Sequence, residues 1–232
     1  MTVHRFFVEP GAMAGERFPL PGAIAHQVRR VLRLRDGETI ALLDGAGEEA
    51  LCRLEGDACV VEVRGPARGE PRHRLTVWQA LLRGDHLEQV VRHGTEIGIA
   101  RFELFVSERC VARELSPRRL ERLRVVAREA AEQSERGMVP QVSAPVDFGE
   151  VLRAAEPASV LLYERHAGVR LSALDPPPGL VIGPEGGFTN DEVAAAEQAG
   201  FGVARLGPRI LRSETVAVAA AAVILSRTGD FA

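Results

Sequence analysis

Two glycine-bearing segments near the C-terminus hold the residue types best suited to cradle a small ligand. They are residues 180–188 (LVIGPEGGF) and residues 206–215 (LGPRILRSET). Each begins with a short apolar run that predicts a strand and leads into an amphipathic pattern that predicts a helix. Ligands of open α/β sheets lie at the carboxyl ends of the strands, so we expect both turns to line one pocket.

The first turn favours a neutral or cationic ligand over a phosphate. Gly186 and Gly187 permit positive φ and let backbone amides approach a ligand without an intervening Cβ. Thr189 is the predicted N-cap of the next helix, with Glu192 as its capping-box partner. Glu185 and Glu192 place negative charge where a phosphate would bind, and the chain contains no lysine to offset it. A tight strand-to-helix turn without a ligand explains the glycines equally well.

The second turn places two apolar residues, Ile210 and Leu211, between two arginines in a segment that should be an exposed loop. Apolar loop residues usually enclose something, so we expect these two to wall the pocket. Ser213 is the predicted N-cap of an alanine-rich helix over residues 214–226. The alternative is that Ile210 and Leu211 only plug the end of the sheet while the arginines are solvated.

The composition predicts a globular protein and excludes several kinds of chemistry. Of the 232 residues, 46% are hydrophobic and 26% charged, which argues against disorder. All 29 basic residues are arginine, which excludes a P-loop lysine, a Schiff base and a pyridoxal phosphate linkage. Cys52, Cys59 and Cys110 have neither disulfide nor zinc spacing, so we expect no metal.

The chain shows no sign of membrane insertion or export. No apolar run reaches the ~20 residues that span a bilayer, and the first ten residues have no signal-peptide core. We therefore expect a cytoplasmic protein. The net charge of -3 gives no global basic signature, so contacts with nucleic acid must come from local patches.

The pattern changes near residue 69, which predicts two domains, 1–69 and 70–232. The first holds short apolar or alternating runs separated by turns such as Asp44-Gly45, which predict a small β-barrel. Residues 65–71 contain two prolines and two glycines, a linker composition. Beyond them strand and helix patterns alternate, which predicts an α/β domain with a largely parallel sheet.

One basic cluster interrupts the first domain. Residues 23–33 predict a short helix, with Ile24, Val28, Val31 and Leu32 on its apolar face. Residues 29–35 carry four arginines and no acid, a pattern suited to phosphate contacts. A solvated helix face without a ligand remains the alternative.

The two turns and five further segments resemble the bacterial small-subunit rRNA uridine-N3 methyltransferases, a branch of the SPOUT superfamily. The further segments are residues 26–33 (HQVRRVLR), 83–88 (RGDHLE), 95–98 (TEIG), 107–110 (SERC) and 132–136 (EQSER). The resemblance implies a PUA-like RNA-binding β-barrel followed by an α/β domain with a trefoil knot. It also implies S-adenosylmethionine as cofactor, a homodimer formed through the C-terminal domain, and methylation of N3 of a uridine in 16S rRNA, either free or in the assembled small ribosomal subunit.

The resemblance also implies roles for individual residues. The cofactor would contact Leu162, Tyr163, Glu164, Gly183, Pro184, Glu185, Gly186, Gly187, Leu206, Gly207, Ile210, Leu211, Arg212 and Thr215. The RNA would contact Arg5, His26, Arg29, Arg30, Arg33, Arg35 and Arg136, although Arg136 could instead reach a partner subunit. For catalysis we expect Arg209 and Arg212 to hold the uracil or its neighbouring phosphate, and Glu214 or Glu185 to accept the N3 proton.

Some positions depart from the family pattern, and other functions stay open. His86 and His93 stand where relatives often have lysine, and Val216 stands where threonine or alanine is common. We interpret the histidines as a drift in composition, and His93 as a histidine at the surface or the edge of the core. Other possibilities are methylation of another RNA such as tRNA, a non-catalytic RNA-binding protein, or, least favoured, a binder of nucleotide phosphates.

Overall fold

The computed structural model describes residues 3–9, 11–165 and 169–231. The chain forms two compact units: unit 1 comprises Met1–Glu70 with Ala131–Val139, and unit 2 comprises Pro71–Ala130 with Pro140–Ala232. The division into domains 1–69 and 70–232 stays a prediction.

Unit 1 is built on a five-stranded sheet. The strands are β1 (His4–Phe7), β2 (Arg17–Pro19), β3 (Thr39–Leu43), β4 (Glu48–Glu55) and β5 (Ala58–Pro66). Their order is β1-β3-β4-β5-β2, with β1 parallel to β3 and the other pairs antiparallel. Alternate residues of β4, such as Cys52 and Leu54, are fully buried in its core, as the period of two in a strand requires.

The predicted helix over residues 23–33 is shorter and differently wound. Helix α1 (Gly22–His26) continues into a π-helical turn, Gln27–Val31, in which the Leu32 amide donates to the Gln27 carbonyl at 2.9 Å. Ile24 and Val28 are buried as predicted, but Val31 is 64% exposed. The prediction for Val31 was wrong because a hydrogen bond over five residues widens the turn and rotates later side chains away from the α-helical face.

Unit 2 contains a seven-stranded sheet in which every pair is parallel, which confirms the predicted α/β class. Its strands are β6 (Thr76–Ala80), β7 (Arg101–Val106), β8 (Gln141–Val142), β9 (Val146–Asp147), β10 (Val160–Leu162), β11 (Gly179–Ile182) and β12 (Gly202–Ala204). The order is β12-β10-β11-β6-β7-β8, and β9 also pairs with β7. Strands β6, β10 and β11 consist of buried residues, as expected of a sheet covered on both faces.

Five helices alternate with these strands: α2 (His86–Glu96), α3 (Pro117–Gln133), α4 (Phe148–Ala154), α5 (Asn190–Gln198) and α6 (Ser213–Arg227). Helix α6 packs against α2 and buries Ala217, Ala220 and Ala221 completely. Small side chains allow such close approach. Within the described ranges, no helix combines the length and apolar character needed to cross a membrane.

The helix starts show which capping signals were reliable. Thr189 and Glu192 form the predicted capping box at the start of α5. Asp85 precedes α2, but its side chain caps nothing, and its backbone (φ -98°, ψ 5°) is not extended. An aspartate followed three residues later by Glu88 predicts a capping box from the sequence, and this prediction was wrong because an N-cap side chain reaches the first turn from an extended backbone.

Candidate active site

A cavity of about 590 Å³ lies in unit 2, where the loops that follow β10, β11 and β12 meet. Strand β10 lies between the other two in the sheet, and all three run parallel, so their carboxyl ends share one edge. The lining consists of residues 162–165, 182–188, 206–207, 209–214 and 216, with residues 83 and 86. A volume of this size suits a small-molecule ligand.

The cavity brings together the cofactor residues inferred from the sequence, with one exception. Leu162, Gly183, Leu206 and the other predicted members line it, but Thr215 does not. Thr215 follows Glu214 in the first turn of α6 and is exposed. Adjacent helical residues project in different directions, so the turn that directs Glu214 to the cavity directs Thr215 elsewhere.

In the glycine turn after β11, Gly187 adopts the positive φ that the sequence allows, whereas Gly186 does not. Gly187 has φ +68°, and its amide donates to the Pro184 carbonyl at 2.9 Å. A Cβ on Gly183 would lie 3.1 Å from the Phe188 ring, so a side chain there would crowd the turn. Phe188 is buried and stacks on Phe105 with ring centroids 6.3 Å apart. The aromatic core thus anchors a turn whose backbone borders the cavity.

Two residues outside the glycine turn hold it in place. The Arg109 guanidinium donates to the carbonyls of Gly186 and Phe188 at 3.1 and 3.2 Å. The Arg83 amide donates to the Glu185 carboxylate at 2.9 Å. Sequence reasoning did not assign these contacts, although both arginines lie in segments that carried the family resemblance. Contacts between loops that are distant along the chain cannot be recognised from the pattern of a single sequence.

Ser213 joins two of the cavity's loops. Its hydroxyl donates to the Gly183 carbonyl at 2.6 Å and accepts a hydrogen bond from the amide of buried Gln79 at 3.0 Å. Helix α6 begins at Ser213, with Arg212 in the N-cap position. The prediction of Ser213 as N-cap was wrong because its hydroxyl bonds to the neighbouring loop.

The charges around the cavity are mixed rather than acidic. Glu164 and Glu185 each face an arginine, at 3.6 Å from Arg165 and 3.8 Å from Arg83. Arg209 and Arg212 also line the cavity and are exposed. The sequence predicted an acidic first turn, and the pairing of Glu185 with Arg83 was not predicted because the two residues are far apart along the chain.

Two further lining residues form a pair across helices. The Nδ1 atom of His86, the first residue of α2, lies 3.3 Å from Oε1 of Glu214 on α6. His93 lies on the same helix as His86 but is exposed and outside the cavity lining. His93 is thus a surface histidine, as predicted, whereas the position of His86 in the cavity was not predicted.

In unit 1, three of the predicted RNA-binding arginines have partners within the protein. Arg136 is 2% exposed and pairs with Glu70 at 2.8 Å. Arg5 pairs with Glu49 at 2.8 Å and with Glu135 at 3.4 Å. These contacts give Arg5 and Arg136 structural roles.

Arg29 is the third. Its guanidinium donates to the Asp36 carboxylate and to the carbonyls of Leu34 and Gly56. The Arg29 guanidinium, with the Gly56 amide, lowers the pKa of Asp36 below its usual value of 3.8. His26, Arg30, Arg33 and Arg35 are exposed, so the basic patch consists of these four residues.

Among the residues that the structure describes, no group of three His, Cys, Asp or Glu side chains has the arrangement of a metal site. The cysteines are buried, and all three are free thiols.

Comparisons with known proteins agree with this arrangement of a β-rich unit and a parallel α/β unit. Residues 69–225 match the RNA methyltransferase domain family, and residues 20–63 match the RNA methyltransferase PUA domain. The ribosomal RNA small subunit methyltransferase E of Synechocystis is 34% identical, covering 97% of this chain and 78% of its own. The Bacillus subtilis protein of that name is 30% identical, covering 97% of each chain.

A solved structure extends the likeness to the whole fold. The ribosomal RNA small subunit methyltransferase E of Neisseria gonorrhoeae, bound to S-adenosyl methionine, superimposes with a TM-score of 0.87. It is 30% identical and covers 97% of this chain and 98% of its own. The chain therefore belongs to the RNA methyltransferase family and, within it, to the ribosomal RNA small subunit methyltransferases E. This confirms the resemblance drawn from the motifs.

Proposed function

We propose that the protein transfers a methyl group from S-adenosylmethionine to N3 of a uridine in 16S rRNA of the small ribosomal subunit. The observation that carries the proposal is the cavity at the ends of β10, β11 and β12, formed by the loops that the motifs single out. The relative from Neisseria gonorrhoeae, which shares this fold, was crystallised with S-adenosyl methionine.

The residues around the cavity fit that cofactor. The glycines of the Gly183–Gly187 turn leave backbone atoms at the cavity, where added side chains would be crowded. Ile210 also lines the cavity, and its side chain is 82% exposed. A bound adenine would remove part of this apolar side chain from water. The Glu164–Arg165 and Glu185–Arg83 pairs suit a ligand that carries charges of both signs. When bound, S-adenosylmethionine supplies an electrophilic methyl group.

The reaction requires the N3 proton to leave and the uracil to be held while negative charge develops. Arg209 and Arg212 lie on the cavity, so they are suited to hold O2, O4 or a neighbouring phosphate. Of the two candidate proton acceptors, Glu185 already binds the Arg83 amide. Glu214, whose carboxylate faces His86 and no arginine in the described part of the chain, is therefore better placed than Glu185 to assist removal of the proton.

Unit 1 is suited to bind the rRNA backbone through His26, Arg30, Arg33 and Arg35. All four are exposed, and Arg29 holds the segment that carries Arg35 through its bonds to Leu34 and Asp36. Phosphate contacts of this kind carry little sequence information and weaken with salt. The sequence of the target would then be read elsewhere.

Three further properties form part of the proposal because the family resemblance implies them. They are a trefoil knot in unit 2, a homodimer formed through that unit and a cytoplasmic location. The small, partly buried alanines of α6, such as Ala219 and Ala222, leave room for close packing of a second copy.

The decisive experiment incubates the protein with labelled S-adenosylmethionine and small subunits from a strain lacking this activity, then maps the modified base. We expect label on N3 of one uridine. Small subunits from the parent strain, already methylated, are the matched control and should take up no label. Label on tRNA, or on another atom of the rRNA, would contradict the substrate assignment.

A further inference from the structure

His86 and Glu214 form a pair in the cavity that points to a division of catalytic work. We propose that His86 accepts the N3 proton of the uridine and that Glu214 positions its imidazole. The inference rests on the proposed function and gives His86 a role that neither the motifs nor the comparisons assign.

The fold places the two side chains together at the starts of two packed helices. His86 is the first residue of α2, and Glu214 lies in the first turn of α6. Helices α2 and α6 pack against each other, and both residues line the cavity. The distance of 3.3 Å between Nδ1 and Oε1 is therefore set by helix packing.

The two nitrogens of the imidazole have different surroundings. Nδ1 has essentially no accessible surface and, among the described residues, no aligned hydrogen-bond partner. The side chain as a whole is 33% exposed, so its accessible surface belongs to the other atoms, of which Nε2 is the only polar one. A small ring rotation would let Nδ1–H donate to Glu214, which selects the tautomer with a lone pair on Nε2.

The carboxylates of the cavity are less suited to receive the proton. Glu164 and Glu185 each face an arginine. The Glu214 side chain is 11% exposed, and one of its oxygens faces His86. Among the described residues of the cavity, this favours the His86 imidazole, whose Nε2 can accept a proton when Nδ1–H faces Glu214, and imidazole is the side chain used most often for general base catalysis.

The proposed reaction needs no reactant besides the uridine and the methyl donor. The N3–H proton moves to Nε2 of His86, and the electron pair of that bond stays on N3. The N3–C bond then forms as the C–S bond of the methyl donor breaks, and the electron pair of the C–S bond stays on sulfur, which leaves as a neutral thioether. The resulting imidazolium faces the Glu214 carboxylate, which stabilises its charge, and it returns its proton to water.

The test compares His86→Asn, Glu214→Gln and the control His93→Asn in single-turnover methyl transfer to small subunits. His93 is a matched control because it is an exposed histidine of the same helix outside the cavity. We expect His86→Asn to lower the rate constant about 100-fold and Glu214→Gln to lower it about tenfold. His93→Asn should leave it unchanged. Calorimetry should show unchanged affinity for S-adenosylmethionine in all three variants.

A second substrate separates a proton acceptor from a structural residue. In small subunits reconstituted with 5-fluorouridine rRNA, the target N3–H is more acidic and needs less help to leave. The defects of His86→Asn and Glu214→Gln should therefore shrink with this substrate. Equal defects on both substrates would overturn the proposal, as would full activity of His86→Asn combined with an inactive Glu214→Gln. Failure of the proposed function itself would appear differently, as wild-type protein that binds no S-adenosylmethionine or methylates another atom.

Discussion

The arginines of unit 1 and those around the cavity of unit 2 look alike in sequence but have different surroundings. Arg5, Arg29 and Arg136 are tied to carboxylates and carbonyls of their own unit. Arg209 and Arg212 are exposed at the cavity. On the proposed function, the first set stabilises the fold and the second binds the substrate. The partners of an arginine, more than its charge, therefore separate a structural role from a functional one.

The largest effect should come from the cavity arginines. We expect Arg212→Ala to lower the single-turnover rate of methyl transfer about 100- to 1000-fold, because it removes a cation that faces developing charge. Arg209→Ala should act in the same direction. Arg153→Ala, which removes an exposed ion pair with Glu150, is the matched control and should retain full activity. Normal rates of methyl transfer in both Arg209→Ala and Arg212→Ala would show that the arginines at the cavity have no more functional role than those of unit 1.

The next effect concerns the buried arginine of unit 1. Removing one partner of a buried pair leaves an uncompensated charge, so Arg136→Ala should lower the free energy of unfolding by about 3 kcal/mol. Denaturant unfolding measures this change. Replacing both partners, as Arg136→Met with Glu70→Gln, should recover part of the loss, because no buried charge then remains and the glutamine carbonyl can still accept from the Met138 amide. If Arg136→Ala were as stable as the wild type but bound RNA more weakly, Arg136 would have a role in RNA binding and not in stability.

A backbone change tests whether the cavity depends on the glycine turn. Gly187→Ala forces a side chain into positive φ (+68°), at a cost of about 1–2 kcal/mol. We expect calorimetry to show roughly tenfold weaker binding of S-adenosylmethionine. Gly229→Ala is matched to it, with φ +86° and nothing within 4 Å of the added Cβ. It should lower stability and leave affinity for the cofactor unchanged. Equal affinities in both variants would count against the turn as part of the cofactor site.

A smaller effect is expected at the exposed patch of unit 1. Replacing Arg30, Arg33 and Arg35 by alanine should reduce the salt dependence of RNA binding, by about 0.7–0.9 in log–log slope for each phosphate that is no longer neutralised. Arg17→Ala removes an exposed arginine that pairs with Glu55 in the same unit and should not change the slope. An unchanged slope in the triple variant would mean that the patch is only a solvated surface.

The smallest effect is the acid response of the Arg29–Asp36 pair. The pKa of Asp36 is lower in the folded protein than its usual value of 3.8 because Arg29 and the Gly56 amide bind its carboxylate. Its contribution to stability is therefore complete above that usual value and is lost as the pH falls through the lowered value. Asp36→Asn should be less stable than wild type at neutral pH, and the difference should narrow in acid. If the difference in stability between Asp36→Asn and wild type did not change with pH, the charge of the Asp36 carboxylate would not contribute to stability.

Local patterns predicted those parts of the fold that depend on neighbours in sequence. The alternation of strand and helix signals predicted the parallel sheet, and Thr189 with Glu192 predicted the start of α5 correctly. Ser213 and Asp85 have equally good capping signals, yet Ser213 bonds to a loop from another strand and Asp85 lacks the backbone conformation. A capping motif requires agreement between side chain and backbone, and tertiary contacts can override either one.

The sequence by itself determined the α/β class, the loops that line the cavity and the family of the protein, because each is written in residues close together along the chain. Only the tertiary structure decided which charged and polar groups meet. It buried Arg136 against Glu70, clamped the glycine turn with Arg109, and brought His86 of α2 to Glu214 of α6. The physical reason is that charge pairing and helix packing depend on distance in space, which a single sequence does not record.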